Sequence, residues 1–328
     1  MCCSRDCCTG FKDKRGFPKR HLCFISLHGS LISFLFLILF HVEQSNKQTD
    51  LYLKCADYFN TGEEFNLLYD SKMDMLVTSP MPSEGDLVRY YDSPNYLSHA
   101  VNDKTIYQKI YFFVRRISIT KKLRLISRIK PKGVKLLDVG AGAGHFIHSA
   151  IDSGWDGLGV EINKGARFAA NSIKPNVIKD VAYLQGLSQN SFDVITLWHV
   201  LEHMSDLDLE INRLKTLLSF NGRLVIAVPN FKSYDAHYFQ KYWAGYDVPR
   251  HLWHFSRSAI VKLFGRHGMQ VESTHPMVFD SFFVSLLSTK YKFGSFRFFK
   301  AILVGLVSNI KAAYSGEYSS LIYIIKKQ

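Results

Sequence analysis

The sequence predicts an α/β fold whose central sheet is doubly wound and mostly parallel. From residue 134 onward, short apolar segments that suit strands alternate with segments that suit helices. A glycine-rich turn at 140–144 follows the first of these strands directly. Strands that alternate with helices build crossover units, so this pattern predicts that the strands lie side by side in one sheet.

The strands are predicted from their place in the alternating pattern, and some are marked further by an apolar run or by a turn. Phe192–Trp198 is apolar enough to be a buried central strand, and Pro229 ends the strand that begins after Asn221-Gly222. Two late strands flank a mostly helical, aromatic-rich insertion at about 280–313. The predicted strands are 134–139, 155–160, 176–179, 192–198, 223–228, 270–273 and 321–325. The predicted helices are 104–129, 144–153, 164–172 and 207–218.

The chain divides into three predicted parts. They are a hydrophobic N-terminal segment (1–48), a small hairpin-containing lead-in (49–103) and the main domain (104–328). Within the first part, residues 22–42 contain no Asp, Glu, Lys or Arg and are long enough to span a bilayer. This segment is a membrane anchor, a secretory signal or a non-native extension from an over-early start, and we favour the extension.

The distribution of charged residues and of cysteines limits where the protein can be located and what it can bind. The net charge is +13, and residues 104–132 hold ten Lys or Arg and no Asp or Glu. This block could bind nucleic acid or an anionic membrane surface, but its apolar residues at helical spacing favour a solvated helix face, and nucleic acid is the less favoured partner. Five of the six cysteines lie in the first 23 residues. We therefore expect a cytoplasmic protein, which is membrane-associated if 22–42 is native.

The glycine turn and two acids predict a ligand site. Glycines at alternating positions let backbone N–H groups approach a ligand closely. His145 fills the place of the last glycine in the dinucleotide fingerprint, which argues against a bound pyrophosphate. Glu161 directly follows the second strand, where an acid can accept hydrogen bonds from both hydroxyls of a ribose. Asp138 precedes the turn and could orient its amides or meet a cationic group of the ligand.

Four segments in order resemble the class I S-adenosylmethionine-dependent methyltransferases. They are 136–144, 160–162, 192–203 and 221–230. The resemblance extends over about 105–328 and is closest to the small-molecule branch that includes the ubiquinone and menaquinone biosynthesis methyltransferases. It implies a Rossmann-like, seven-stranded sheet that is mostly parallel, with the last strand antiparallel.

The resemblance also implies the cofactor, S-adenosyl-L-methionine, and the residues that bind it. Asp138, Gly140 and Gly142 would line its methionine part, Glu161 its ribose and Asp180 its adenine. Trp198 would lie where the pocket opens toward the acceptor. The full set of expected cofactor-binding residues is Asp138, Gly140, Ala141, Gly142, Gly144, Glu161, Ile162, Asp180 and Trp198.

The catalytic prediction rests on histidines at the end of the fourth strand. Methyl transfer is an in-line displacement, and an oxygen or nitrogen acceptor can need a base. His199 and His203 are the expected catalytic residues, with Glu202 as a further candidate. His199 replaces an acid that metal-binding relatives place here, so no metal is expected. Alternatively, Glu202 and His203 cap and pack the next helix.

An aromatic and basic segment, 243–255, is predicted to contact the acceptor. Its expected contact residues are Trp243, Tyr246, Arg250, His251 and His254. Arg250 could pair with a substrate carboxylate or phosphate, although the segment could equally be a structural corner.

The 280–313 insertion could form a lid, an apolar substrate channel or a lipid-docking face, or simply pack in the core. The predicted function is methyl transfer to an O, N or C atom of a small or lipid-like acceptor, and the alternative is a non-catalytic cofactor-binding partner or regulatory protein.

Overall fold

The computed structural model describes residues 49–91 and 106–328. The N-terminal segment 1–48, including 22–42, and the end of the lead-in lie outside the described residues. The strands are β1 Thr49–Ala56, β2 Glu64–Asp70, β3 Met75–Ser79, β4 Lys135–Val139, β5 Asp156–Val160, β6 Ile178–Lys179, β7 Phe192–Trp198, β8 Leu218–Pro229, β9 Trp253–Phe255, β10 Met269–Pro276 and β11 Ser320–Lys327. The helices are α1 Glu84–Tyr91, α2 Ile106–Ile129, α3 His145–Asp152, α4 Lys164–Ile173, α5 Leu207–Leu217, α6 Tyr234–Phe239, α7 Arg257–Arg266, α8 Asp280–Phe293 and α9 Phe298–Ser315.

Seven strands form the central sheet in the order β10-β11-β8-β7-β4-β5-β6. The pairs from β8 to β6 are parallel, and β11 is antiparallel to both of its neighbours. The predicted fold class is therefore confirmed, including the antiparallel last strand. The third strand of the parallel half is only two residues long, and the insertion consists of the hairpin α8–α9.

The core lies on both faces of this sheet because side chains alternate along each strand. In β8, Leu224, Ile226 and Val228 pack into one buried cluster, whereas Val225 and Ala227 pack into another on the opposite face. Helices cover both clusters, as the near-continuous apolar sequence of parallel strands requires.

A second, four-stranded antiparallel sheet has the order β1-β2-β3-β9. The first three strands form the predicted hairpins of the lead-in, and β9 pairs with β3 through Met75–Phe255 and Val77–Trp253. The lead-in sheet is thus completed by a strand of the main domain. The division at 103/104 stays a prediction.

In the described part of the chain, no helix is both long and apolar enough to cross a membrane.

Candidate active site

Three glycines with positive φ shape the loop at the carboxyl end of β4. Gly140, Gly142 and Gly144 have φ angles of +71°, +54° and +80°, a region that side chains disfavour. A Cβ on Gly140 would strike Val200, and one on Gly144 would lie 2.7 Å from His148. A Cβ on Gly142 would meet no heavy atom of the described chain within 4 Å. Of the three, only Gly142 borders open space, where a ligand can reach the backbone.

Glu161 fastens this loop to the end of β5. Its Oε2 accepts a hydrogen bond from the Gly142 amide and its Oε1 accepts one from the Asn163 amide, both at 2.8 Å. Each carboxylate oxygen keeps a second acceptor position. The predicted ribose acceptor therefore lies beside the open space at Gly142 with acceptor capacity left.

Arg167 joins the ends of β5 and β6. Its guanidinium donates to the carbonyl oxygens of Glu161 and Ile162 and pairs with Asp180 at 2.8 Å. Asp180 also accepts from the Ala182 amide. Ile162 is 76% exposed and offers an apolar surface at this edge.

Asp138 and Lys122 place opposite charges behind the glycine loop. Asp138 is buried in β4, and its Oδ1 accepts a hydrogen bond from Thr196 at 2.6 Å. Burial raises the pKa of Asp138 to about 7, although the Thr196 hydroxyl and the Lys122 charge both lower it. Lys122 lies with its Nζ 4.2 Å from the centre of the Trp198 ring. Burial lowers the pKa of Lys122, and the charges of Asp280 and Asp138 oppose that effect.

His199 follows β7 with a left-handed backbone, φ +59°, a conformation that non-glycine residues tend to hold at functional sites. Its Nδ1 lies 3.4 Å from Glu202 Oε1 and its Nε2 lies 3.2 Å from Asp280 Oδ2. Burial alone would lower the pKa of His199, but the contacts with Asp280 and Glu202 raise it to about 9. At neutral pH, His199 is therefore a cation held between two carboxylates.

Glu202, His203 and His251 form a tight group next to His199. The Nδ1 atoms of both histidines lie 2.9 Å from backbone carbonyl oxygens, of Arg250 and Gly245 respectively. Because only an N–H can donate to a carbonyl, Nδ1 of each ring carries a proton, and the neutral His203 ring has Nε2 as its acceptor. Burial and the neighbouring His251 lower the pKa of His203 to about 4, so its ring is neutral at pH 7.

This group has the donor set of a metal site. Glu202 is buried, and neither carboxylate oxygen has a hydrogen bond of normal geometry within the described chain. Ligand atoms of Glu202, His203 and His251 lie within 4.8 Å of one another. Carbonyl-oriented imidazoles and a carboxylate are suited to a divalent cation. The expectation that no metal binds stays a prediction.

Four of the five predicted acceptor contacts are engaged with other groups of the protein. Trp243 Nε1 donates to Asp235 at 2.7 Å. Tyr246 is 1% exposed and packs edge-on against Trp243 and against His254. His254 lies 3.0 Å from the Thr78 hydroxyl through its Nε2.

Arg250 requires a correction. Its guanidinium, buried with the rest of the residue, bonds to Asp247 through two nitrogens, to Asp57 at 2.9 Å and to the Tyr90 carbonyl at 3.0 Å. These partners occupy four of the five N–H donors that were expected to bind a substrate anion. Arg250 therefore joins the loop to the lead-in, as the structural-corner alternative predicts. Of the five, only His251 belongs to the Glu202 group.

Part of this chain is similar to known methyltransferases. A family model described as a methyltransferase domain matches residues 112–274. The chain is 34% identical over 125 residues to the ubiquinone biosynthesis O-methyltransferase of Pelagibacter ubique, covering 36% of this chain and 52% of that protein. It is 29% identical over 105 residues to the protein of the same name from Azorhizobium caulinodans, covering 30% and 42% respectively.

The predicted resemblance to the class I S-adenosylmethionine-dependent methyltransferases is therefore confirmed. The chain spans about half the length of the curated relatives it matches. Among solved structures, the magnesium protoporphyrin IX methyltransferase from Synechocystis PCC 6803 with bound SAH is 16% identical, with a TM-score of 0.49, and the match covers 75% of this chain and 100% of that chain.

The cofactor of this methyltransferase family fits the groups around the loop. Glu161 offers acceptors for ribose hydroxyls beside Gly142, and the Asp138 carboxylate and the Lys122 ammonium match the two charges of an amino acid. The indole N–H of Trp198 is buried and has no partner in the described chain, so a donor remains for a ligand. The prediction of S-adenosylmethionine is confirmed by the family. The contacts of individual residues stay predictions.

Sequence reasoning missed four side chains of this candidate site: Lys122, Arg167, Thr196 and Asp280. No local signal separates Lys122 from the other cations of 104–132, and Asp280 lies in a different element, far along the chain from His199. Thr196 carried a signal, because a hydroxyl inside a buried strand needs a partner.

Proposed function

We propose that the protein transfers a methyl group from S-adenosylmethionine to a hydroxyl oxygen of a small, lipid-like acceptor. The observation that carries this proposal is a series of titratable side chains in which each member contacts the next or acts on it through its charge. It connects the groups expected at the methionine part of the cofactor to a neutral histidine. The series runs through Asp138, Lys122, Asp280, His199, Glu202 and His203.

The choice of an oxygen acceptor has two supports. The matched relatives are named ubiquinone biosynthesis O-methyltransferases. A hydroxyl must also lose a proton as it is methylated, and a half-buried imidazole that is neutral at pH 7 has a nitrogen free to accept it. Bound S-adenosylmethionine supplies an electrophilic methyl group on a sulfonium. As the new C–O bond forms and the S–C bond breaks, the acceptor proton passes to the protein.

His203 is the proposed proton acceptor. Its Nδ1–H is held by the Arg250 carbonyl, which leaves Nε2 unprotonated. Glu202 lies beside it and stabilises the imidazolium that forms. His199 cannot serve as the base at neutral pH because both of its nitrogens face carboxylates and the ring is already protonated.

Replacing the proposed base tests this assignment. We expect His203→Gln to lower kcat by about 10²–10⁴-fold, the usual contribution of a general base, while the Kd for S-adenosylmethionine is unchanged. Turnover is measured by mass spectrometry with hydroxylated, prenylated aromatic acceptors and with matched amines. His237→Gln, at a histidine outside the site, is the control and should behave like wild type.

Three outcomes would count against the proposal. An unchanged kcat in His203→Gln removes His203 as the base. A metal retained by the purified protein, and lost together with activity in His251→Gln, assigns His203 to a metal instead. Tight cofactor binding without turnover of any hydroxyl acceptor favours the non-catalytic alternative.

A further inference from the structure

Helix α9 carries its large apolar residues on the outside. The residues that it buries are small for the most part: Ala301, Val304, Gly305, Ser308 and Ala312. Gly305 is where Phe282 of α8 packs, since a Cβ there would come within 2.7 Å of that ring. This arrangement is the reverse of an ordinary amphipathic helix, in which the large apolar side chains face the core.

The outward side forms one continuous surface, which we call the α9 stripe. Its residues recur at helical spacing and are between 47% and 91% exposed. The stripe is about 22 Å long at 1.5 Å per residue. Its members are Phe299, Ile302, Leu303, Leu306, Ile310 and Tyr314.

Only positive charges accompany this stripe. From residue 281 to residue 315 the chain has five Lys or Arg and no Asp or Glu. The two acids at its borders have other partners, since Asp280 contacts His199, and Glu317 pairs with Arg257 and accepts from Asn230. The cations are Lys290, Lys292, Arg297, Lys300 and Lys311.

We propose that the α8–α9 hairpin docks on the surface of a membrane that contains anionic lipids. An apolar stripe flanked by cations is the pattern of a helix that lies in the lipid interface. The helix is not apolar enough to cross the bilayer. A second copy of the chain is disfavoured as the occupant, because two such faces would bring like charges together. Since α8 also supplies Asp280, docking places the candidate active site close to the lipid.

Vesicle sedimentation of the full chain tests this inference without any methyl acceptor, so its outcome is separate from that of the proposed function. We expect binding to vesicles in which about one third of the phosphatidylcholine is replaced by phosphatidylglycerol, and weakening at high salt. Leu303→Glu with Leu306→Glu should weaken binding by at least about tenfold, because the two leucines no longer enter the lipid and the added carboxylates are repelled by anionic lipid. Phe220→Glu removes a side chain that is 78% exposed elsewhere and is the matched control.

A photo-crosslinker identifies what covers the stripe. Phe299 is 91% exposed and can be replaced by benzoylphenylalanine with little change of shape. Lipid adducts at position 299, and none at 220, are the expected result. Crosslinks to a second copy or to residues 22–42, or wild-type vesicle binding by the double glutamate variant, would overturn the proposal.

Discussion

Asp138 is expected to favour ligand binding when it is ionised, but its ionised form lowers the stability of the folded protein. Its carboxyl group is buried, and burial raises its pKa to about 7 in spite of Thr196 and Lys122. The folded chain therefore holds this proton more tightly than the unfolded chain does. Stability is lost as the pH rises from the ordinary carboxyl range toward 7, and a bound cationic group would recover it.

Asp138→Asn separates the two effects. We expect a higher Tm than wild type for the ligand-free protein at pH 8, by about 2–4 °C for each kcal/mol regained, and a smaller gain at pH 5. The Kd for S-adenosylmethionine should rise by at least about tenfold, since a charge-assisted hydrogen bond contributes roughly 1.5–3 kcal/mol. Thermal unfolding at both pH values, with and without cofactor, measures both. A variant that is less stable at pH 8 would contradict the account.

At the scale of elements, the loop between β4 and α3 contains glycines that pack against the protein and one glycine that leaves space for a ligand. The close contacts of Gly140 and Gly144 are with protein, whereas Gly142 faces open space. The three glycines look alike in the sequence. Only the three-dimensional surroundings assign them different roles.

A pair of alanine substitutions tests this division. In both variants a left-handed alanine costs about 1–2 kcal/mol. Gly144→Ala should cost more, because its Cβ would also lie 2.7 Å from His148 and 3.1 Å from Ala170. Gly142→Ala should keep more stability but lose more affinity for S-adenosylmethionine. Urea unfolding measures the stability of the two variants, and calorimetry measures their affinity for S-adenosylmethionine. The division would be refuted if Gly142→Ala were the less stable variant and Gly144→Ala the weaker binder.

The elements that the sequence predicts are those with local signals. All seven strands of the central sheet were predicted, and the signal is strongest where an apolar run is long, as in β7, or is closed by a proline, as in β8. The pairing of β9 with β3 was not predictable, since three residues carry little pattern and their partner lies far away in the chain. Lys122 was hidden for the same reason: its burial depends on where α2 packs.

At the scale of the whole molecule, the Arg250 side chain links the lead-in to the main domain. It bonds to Asp57 just after β1, to Asp247 in its own loop and to the end of α1. Removing one partner of a buried ion pair leaves the other charge without compensation, which is costly. The sequence indicated that Arg250 could pair with an anion, and in the structure its anionic partners are the carboxylates of Asp57 and Asp247.

Arg250→Met should therefore act on stability. We expect a loss of about 3–5 kcal/mol in the free energy of unfolding, measured by urea denaturation. In the protein that remains folded, KM for the acceptor should stay near the wild-type value. Arg257→Met, at an exposed ion pair with Glu317, is the control and should cost less than about 1 kcal/mol. Wild-type stability with a raised KM would restore the substrate-binding role.

Calorimetric titration of the intact protein with S-adenosylmethionine measures binding at the Gly142–Glu161 junction. We expect saturable binding by wild type and by Asp152→Ala, an exposed acid outside the junction. We expect Glu161→Ala to weaken binding by at least about tenfold, since the ribose loses its acceptors and the loop loses its anchor. Absence of binding by wild type, or equal binding by Glu161→Ala, would show that the junction is not the binding site.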